Sequence, residues 1–192
     1  MEVPVRTRIL EATYGCIARY GLAKTTMEDA AREAGLSRAT VYRYFPGGRD
    51  DLIRAVIAWE TGRFFLRLAD AIAGAGDFAE LLEEALLFAH EAIEGHEVLQ
   101  KMLQTEPERL LPTLTVESER IRVLVSAFLA PHLATEPRLR PGIQTAEAAD
   151  YVARMLLAFI GSPGRWDLTD REQVHALVRT EFLAGILTVE AL

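Results

Sequence analysis

The amino-acid sequence predicts an all-α protein, and three observations carry that prediction. Apolar residues recur at spacings of three and four along nearly the whole chain, alternation never persists long enough to mark a strand, and hydroxyl or acidic residues stand where helices would begin, glycines where they would end. Half of the 192 residues are apolar, enough for a substantial core. No segment holds the roughly 18 uninterrupted apolar residues a membrane span needs, and MEVPVRTRILEAT lacks the apolar run of a signal peptide, so a cytoplasmic protein is expected.

The elements follow in order. A first helix is expected over about residues 5–20, closed by Gly21. Thr26 offers a hydroxyl N-cap with an acid, Asp29, three residues later, opening a two-turn helix that runs to Gly35. Ser37 caps a third short helix, Arg38 to Phe45, and Pro46-Gly47-Gly48 forces a turn before a long fourth helix over about 49–73. Asp77 and Glu80 open a helix of about 77–94, followed by one near 96–105, after which Pro107 and Pro112 are expected to interrupt. Helices over about 113–130 and 145–160 flank the link PHLATEPRLRPG, and Thr169 with Glu172 opens a last helix of about 170–189. Cys16 is the single cysteine and falls on the apolar stripe of the first helix, where a buried thiol acts as a small apolar residue.

Charge divides the chain. Residues 1–50 hold eight Arg or Lys against six Asp or Glu, a balance of +2, and residues 51–192 hold 13 against 22, a balance of −9. A mildly basic module on an acidic body suits phosphate attraction, which needs only a locally positive field. The second and third helices, joined by Gly35-Leu36-Ser37, have the spacing of a helix-turn-helix. On a wheel of about 100° per residue, Val41 and Phe45 face the core, and Ala39, Thr40, Arg43 and Tyr44 face outward. Arg38 can aim its forked donors at guanine O6 and N7, Thr40 can use its hydroxyl and methyl, and Ala39 is small enough to touch a thymine methyl. Tyr42 on the flank suits a phosphate, and Thr26 and Arg49 stand at helix starts where phosphates are also expected. The candidate DNA-binding residues are therefore Thr26, Ser37, Arg38, Ala39, Thr40, Tyr42, Arg43, Tyr44 and Arg49.

The run TTMEDAAREAGLSRATVYRYFPGGRDDL resembles the DNA-binding region of the TetR family of transcriptional repressors, over about residues 6–60. Its most specific parts are Thr25-Thr26 before a two-turn helix, Gly35-Leu36-Ser37, the TVYRYF run and Asp50-Asp51-Leu52; the turn PGGR is one residue longer than the commoner loop. The resemblance implies a homodimer that binds a palindromic operator, represses transcription, and leaves DNA when a small ligand enters the C-terminal domain. It also implies base approach by Arg38, Thr40 and Tyr44, and phosphate approach by Thr26, Tyr42 and Arg49. The expected organisation is a DNA-binding domain over 1–50 and a helical ligand-binding and dimerisation domain over 51–192.

In that body, Phe64, Phe65, Phe88, Met102, Leu103, Phe128 and Met155 are large, adaptable candidates for a pocket wall, and suggest a hydrophobic effector. Arg122 and Arg154 could pair with a ligand carboxylate, with surface salt bridges as the ordinary alternative. The stripes Tyr151, Met155, Leu156 and Phe159, and Val174, Leu177, Val178, Phe182 and Ile186, are core-like, and the resemblance favours pairing of Tyr151, Phe159, Val174, Val178 and Phe182 across a two-fold axis. His90 and Glu94, with His96 and Glu97 close by, match no tight metal motif, so no metal and no cofactor are expected. Without a Gly-rich phosphate loop or nucleophile elbow no catalysis is expected either. The alternative reading is a helical small-molecule-binding or enzymatic protein without specific DNA binding.

Overall fold

The structure, a computed structural model, describes residues 3–188. Helices α1 (Val5–Tyr20), α2 (Met27–Glu33), α3 (Arg38–Tyr44), α4 (Gly48–Ile72), α5 (Phe78–Glu94), α6 (Glu97–Thr105), α7 (Pro107–Ala134), α8 (Thr145–Gly161) and α9 (Arg171–Leu177) follow one another, and α9 continues as a π-helical turn, Val178–Leu183. The described residues form no sheet; one isolated antiparallel bridge joins Leu139 and Leu187. The all-α expectation stands.

The chain packs as two compact units, Met1–Arg67 with His96–Pro112, and Leu68–Gly95 with Thr113–Leu192. The expected functional division at residue 50 falls inside the first unit. The physical reason is that α4 runs unbroken past that point, while α6 returns to the N-terminal helices: Lys101 Nζ donates to the Ala18 carbonyl at 2.9 Å, and the Ala23 N–H donates to Glu106 Oε2 at 2.7 Å.

Two expectations are corrected. Pro107 starts α7 rather than breaking the chain, because the first helical position needs no N–H, and Pro112 lies within that helix. The last helix does not reach residue 189. A regular helix would follow Leu177 and Val178 with Glu181 and Phe182, then Gly185 and Ile186; the wider π turn adds Leu183 and Leu187 to the buried side beside Phe182 and Ile186, in place of Glu181 and Gly185. Beyond it the chain pairs with the 138–140 segment, Arg140 N–H to the Ile186 carbonyl and Thr188 N–H to the Arg138 carbonyl, both at 2.9 Å. Arg140 also donates to the carbonyls of Leu187 and Ala184, closing the helix end.

These elements build the second unit's core, in which Leu82, Leu86, Leu133, Val152, Val174, Leu177 and Phe182 are buried together. Tyr151 on α8 donates its hydroxyl to the Glu181 carbonyl inside the π turn at 2.7 Å, and burial, with the Glu181 charge behind it, pushes that phenol's pKa up. Removing the hydroxyl leaves a half-buried carbonyl without its donor. Tyr151→Phe should therefore cost about 1 kcal/mol, read as a fall of roughly 2–4 °C in Tm by thermal denaturation.

Candidate nucleic-acid interface

Local chemistry fixes α2 and α3. Thr26 caps α2 in a reciprocal box: its Oγ1 accepts from the Asp29 N–H at 3.1 Å, and Asp29 Oδ2 accepts from the Thr26 N–H at 3.2 Å. The Thr26 hydroxyl also donates to Asp29 at 2.7 Å, the main reason that carboxyl's pKa is lowered, with Arg32 adding to it. At the other end Gly35 takes φ +63°, which only glycine adopts without strain, so that the Leu36 N–H reaches the Ala31 carbonyl at 2.9 Å and the Gly35 N–H reaches Arg32 at 3.2 Å. Ser37 then caps α3, its Oγ accepting from the Thr40 N–H at 3.1 Å and lying 2.9 Å from the Thr40 hydroxyl.

The outcome is a short helix with two unlike faces. Val41 and Phe45 are 0% and 1% exposed, and Arg6 stands over the Phe45 ring at 5.5 Å. Arg38, Ala39, Tyr42, Arg43 and Tyr44 are exposed and Thr40 is half-buried. The wheel reading holds at both inward positions. Arg43 lies over Tyr44 at 5.6 Å and Arg38 over Tyr42 at 5.2 Å, so the exposed aromatics serve as platforms for the cations. Arg38 further donates through Nη2 to the Tyr42 hydroxyl at 3.3 Å and pairs through Nη1 with Glu28 Oε1 at 2.6 Å; the tyrosine bond first, then the Glu28 charge, raise its pKa.

Arg49 has a different surrounding from the one expected. Its Nε donates to the Thr25 carbonyl at 2.9 Å and its Nη2 to the Leu22 carbonyl, within the loop that enters α2. The same loop is tied by Thr25, 1% exposed, whose hydroxyl donates to the Gly21 carbonyl at 2.8 Å, and by Glu106, whose carboxylate occupies the space a Cβ on Gly21 would need. Sequence reading missed Glu106 and Lys101 because both act 83 positions away from their partners. It missed Glu28 because a carboxylate reads as an ordinary member of the first turn of a helix.

The other candidates are divided. Phe65, Met102 and Leu103 belong to the first unit and Phe88, Phe128 and Met155 to the second; Met102 is buried, Phe128 is 40% exposed and the rest are half-buried. Val174, Val178 and Phe182, expected at a dimer face, are each 0% exposed within their own unit's core, which their helical spacing with Leu177 already favours; they are unavailable to a partner. Tyr151 and Phe159 are half-buried, and Phe159 packs on Phe182 at 5.5 Å between centroids. Arg122 pairs with Glu119 at 2.5 Å and with Asp150, and Arg154 with Asp150 at 2.8 Å, the ordinary salt-bridge use. His96 caps α6, its Nδ1 accepting from the Leu99 N–H at 3.1 Å. Cys16 is 1% exposed, and burial raises its thiol pKa.

Comparison with known proteins agrees with this arrangement. The model of the tetR family of bacterial regulatory proteins matches residues 9–56. The HTH-type transcriptional regulator Rv1255c of Mycobacterium tuberculosis is 28% identical over 181 residues, covering 94% of this chain and 84% of the relative. The HTH-type transcriptional repressor KstR2 of the same species is 30% identical over 108 residues, 55% of this chain and 52% of the relative. Among solved structures, the TetR family repressor AlkX from Dietzia sp. strain DQ12-45-1b superposes with a TM-score of 0.61 at 25% identity, covering 91% of each chain. These relatives are named as regulators or repressors of transcription. With the helix-turn-helix in place, the chain is similar over nearly its whole length to TetR family transcriptional regulators, and the family's own model covers its DNA-binding region, residues 9–56.

Proposed function

We propose that this regulator represses transcription by binding a palindromic operator as a homodimer in the cytoplasm, and that a small hydrophobic effector releases it. Residues 1–50 carry the DNA contacts and residues 51–192 take the effector and dimerise. One observation supports the DNA contacts above others: α3 exposes Arg38, Ala39, Tyr42, Arg43 and Tyr44 on one side while Val41 and Phe45 anchor the other. Arg38, Ala39, Thr40 and Tyr44 face base edges, Arg43 and Tyr42 the flanking backbone, and Thr26 and Ser37 hold the two helices in register. The KstR2 relative is named a repressor, and AlkX is described as implicated in biodegradation of n-alkanes, which supports an apolar effector. Such an effector acts only as far as it prefers the state with misplaced recognition helices.

Selection of bound DNA from a random pool tests the reading. An enriched palindrome with half-sites about one turn of B-DNA apart, roughly 34–36 Å, is expected; no enrichment at low salt would overturn it. The homodimer has a separate test. With Val174, Val178 and Phe182 committed to the core, pairing falls to the outer face of α8, where Ala158 is exposed beside half-buried Leu157 and Phe159. Ala158→Arg places a charge there without touching the core. Sedimentation should show the 21.3 kDa chain sediment as a dimer in the parent and as a monomer in this variant, with operator affinity lost together with the dimer.

A further inference from the structure

The geometry points to Glu28 as a specificity-determining residue: a carboxylate on α2 that holds Arg38 of α3 in the pose that reads a base. The inference rests on the DNA-binding reading above and deepens it.

Arg38 is held on three sides. Glu28 Oε1 pairs with Nη1 at 2.6 Å, the Tyr42 hydroxyl takes one N–H of Nη2 at 3.3 Å, and the Tyr42 ring lies beneath the guanidinium at 5.2 Å. Each terminal nitrogen keeps at least one N–H beyond the bond to Tyr42, enough for guanine O6 and N7 to accept together. A long side chain that is 61% exposed would otherwise surrender its rotamer freedom on binding. Here the fork is already oriented, and by a group on the neighbouring helix rather than by its own. Tyr42 can still donate its hydroxyl proton to a phosphate, because it receives from Arg38 rather than giving to it.

Glu28 also needs an account of its own. A half-exposed carboxylate on a face that approaches phosphates repels them unless its charge is matched, and Arg38 matches it. The helix that carries Glu28 is itself fixed, by the Thr26–Asp29 box and by the Arg49-held loop that precedes it. The pair thus couples the placement of α2 to the aim of Arg38.

The test uses the full-length protein and the sequence enriched by the parent. Parent, Glu28→Gln, Arg38→Ala and the double variant are titrated against that operator and against each single-base change in one half-site, with Tm checked to confirm folding. We expect Glu28→Gln to reduce discrimination at the base pair that Arg38→Ala identifies by at least about fivefold, the lower end of what a bidentate arginine–guanine pair provides. Discrimination elsewhere should hold, and Glu28→Gln should add nothing in the Arg38→Ala background. Tighter binding of Glu28→Gln to every sequence alike, with preference at that base retained, would mean that Glu28 only repels phosphates, and would overturn the assignment. So would unchanged discrimination. A parent protein that enriches no sequence overturns the DNA-binding reading itself, a result distinguishable from either.

Discussion

Arg38→Ala is expected to abolish preference at one base pair in each half-site, at a cost of about 1–3 kcal/mol per contact. The expectation follows from position and chemistry together. Arg38 is the first residue of α3, exposed, with its planar guanidinium lying over the Tyr42 ring. Alanine there removes the only bidentate donor at the start of the recognition helix without disturbing Val41 or Phe45, which hold the helix in place. The measurement is a titration against the enriched operator and its single-base variants at two salt concentrations. Loss confined to one position, with the dependence on salt retained, identifies a base contact. Uniform weakening with a salt slope reduced by about one would identify a phosphate contact instead and remove the base assignment.

The DNA face was legible in the sequence because its determinants are local. Capping by Thr26 and Ser37, the turn at Gly35 and the inward pair Val41 and Phe45 all depend on neighbours within four residues, and each stands in the structure as the pattern predicts. The body was legible only in outline. Its helices were found in order, but α7 begins at Pro107 rather than near 113, and the π turn at 178–183 departs from the regular helix that local propensity favours. An apolar stripe such as Val174, Val178 and Phe182 has one periodicity whether it meets its own core or a second copy, so spacing alone cannot separate the two uses. The same limit applies to Arg49. A cation at a helix start reads as a phosphate contact, and only the folded chain reveals the carbonyls it faces.

Arg49→Lys is accordingly expected to lower stability and weaken DNA binding without changing what the protein prefers to bind. Arg49 spans two carbonyls, those of Leu22 and Thr25, in the loop between α1 and α2, and Thr25 is 1% exposed. A planar guanidinium reaches both at once; a lysine ammonium is a point donor on a flexible stem and satisfies one at best. The carbonyl left without a donor costs about 1–3 kcal/mol, and the loop that sets α2 against α3 loosens. Since the positive charge is kept, a direct phosphate role would be largely preserved by lysine, whereas a positioning role would not. Thermal denaturation and operator titration over a range of salt separate these cases. A fall in Tm with weaker binding to all sequences and an unchanged salt slope marks Arg49 as the residue that holds the loop. An unchanged Tm with near-parent affinity in Arg49→Lys, together with a salt slope smaller by about one in Arg49→Ala, would return Arg49 to the phosphate contacts and leave the Leu22–Thr25 carbonyls to water.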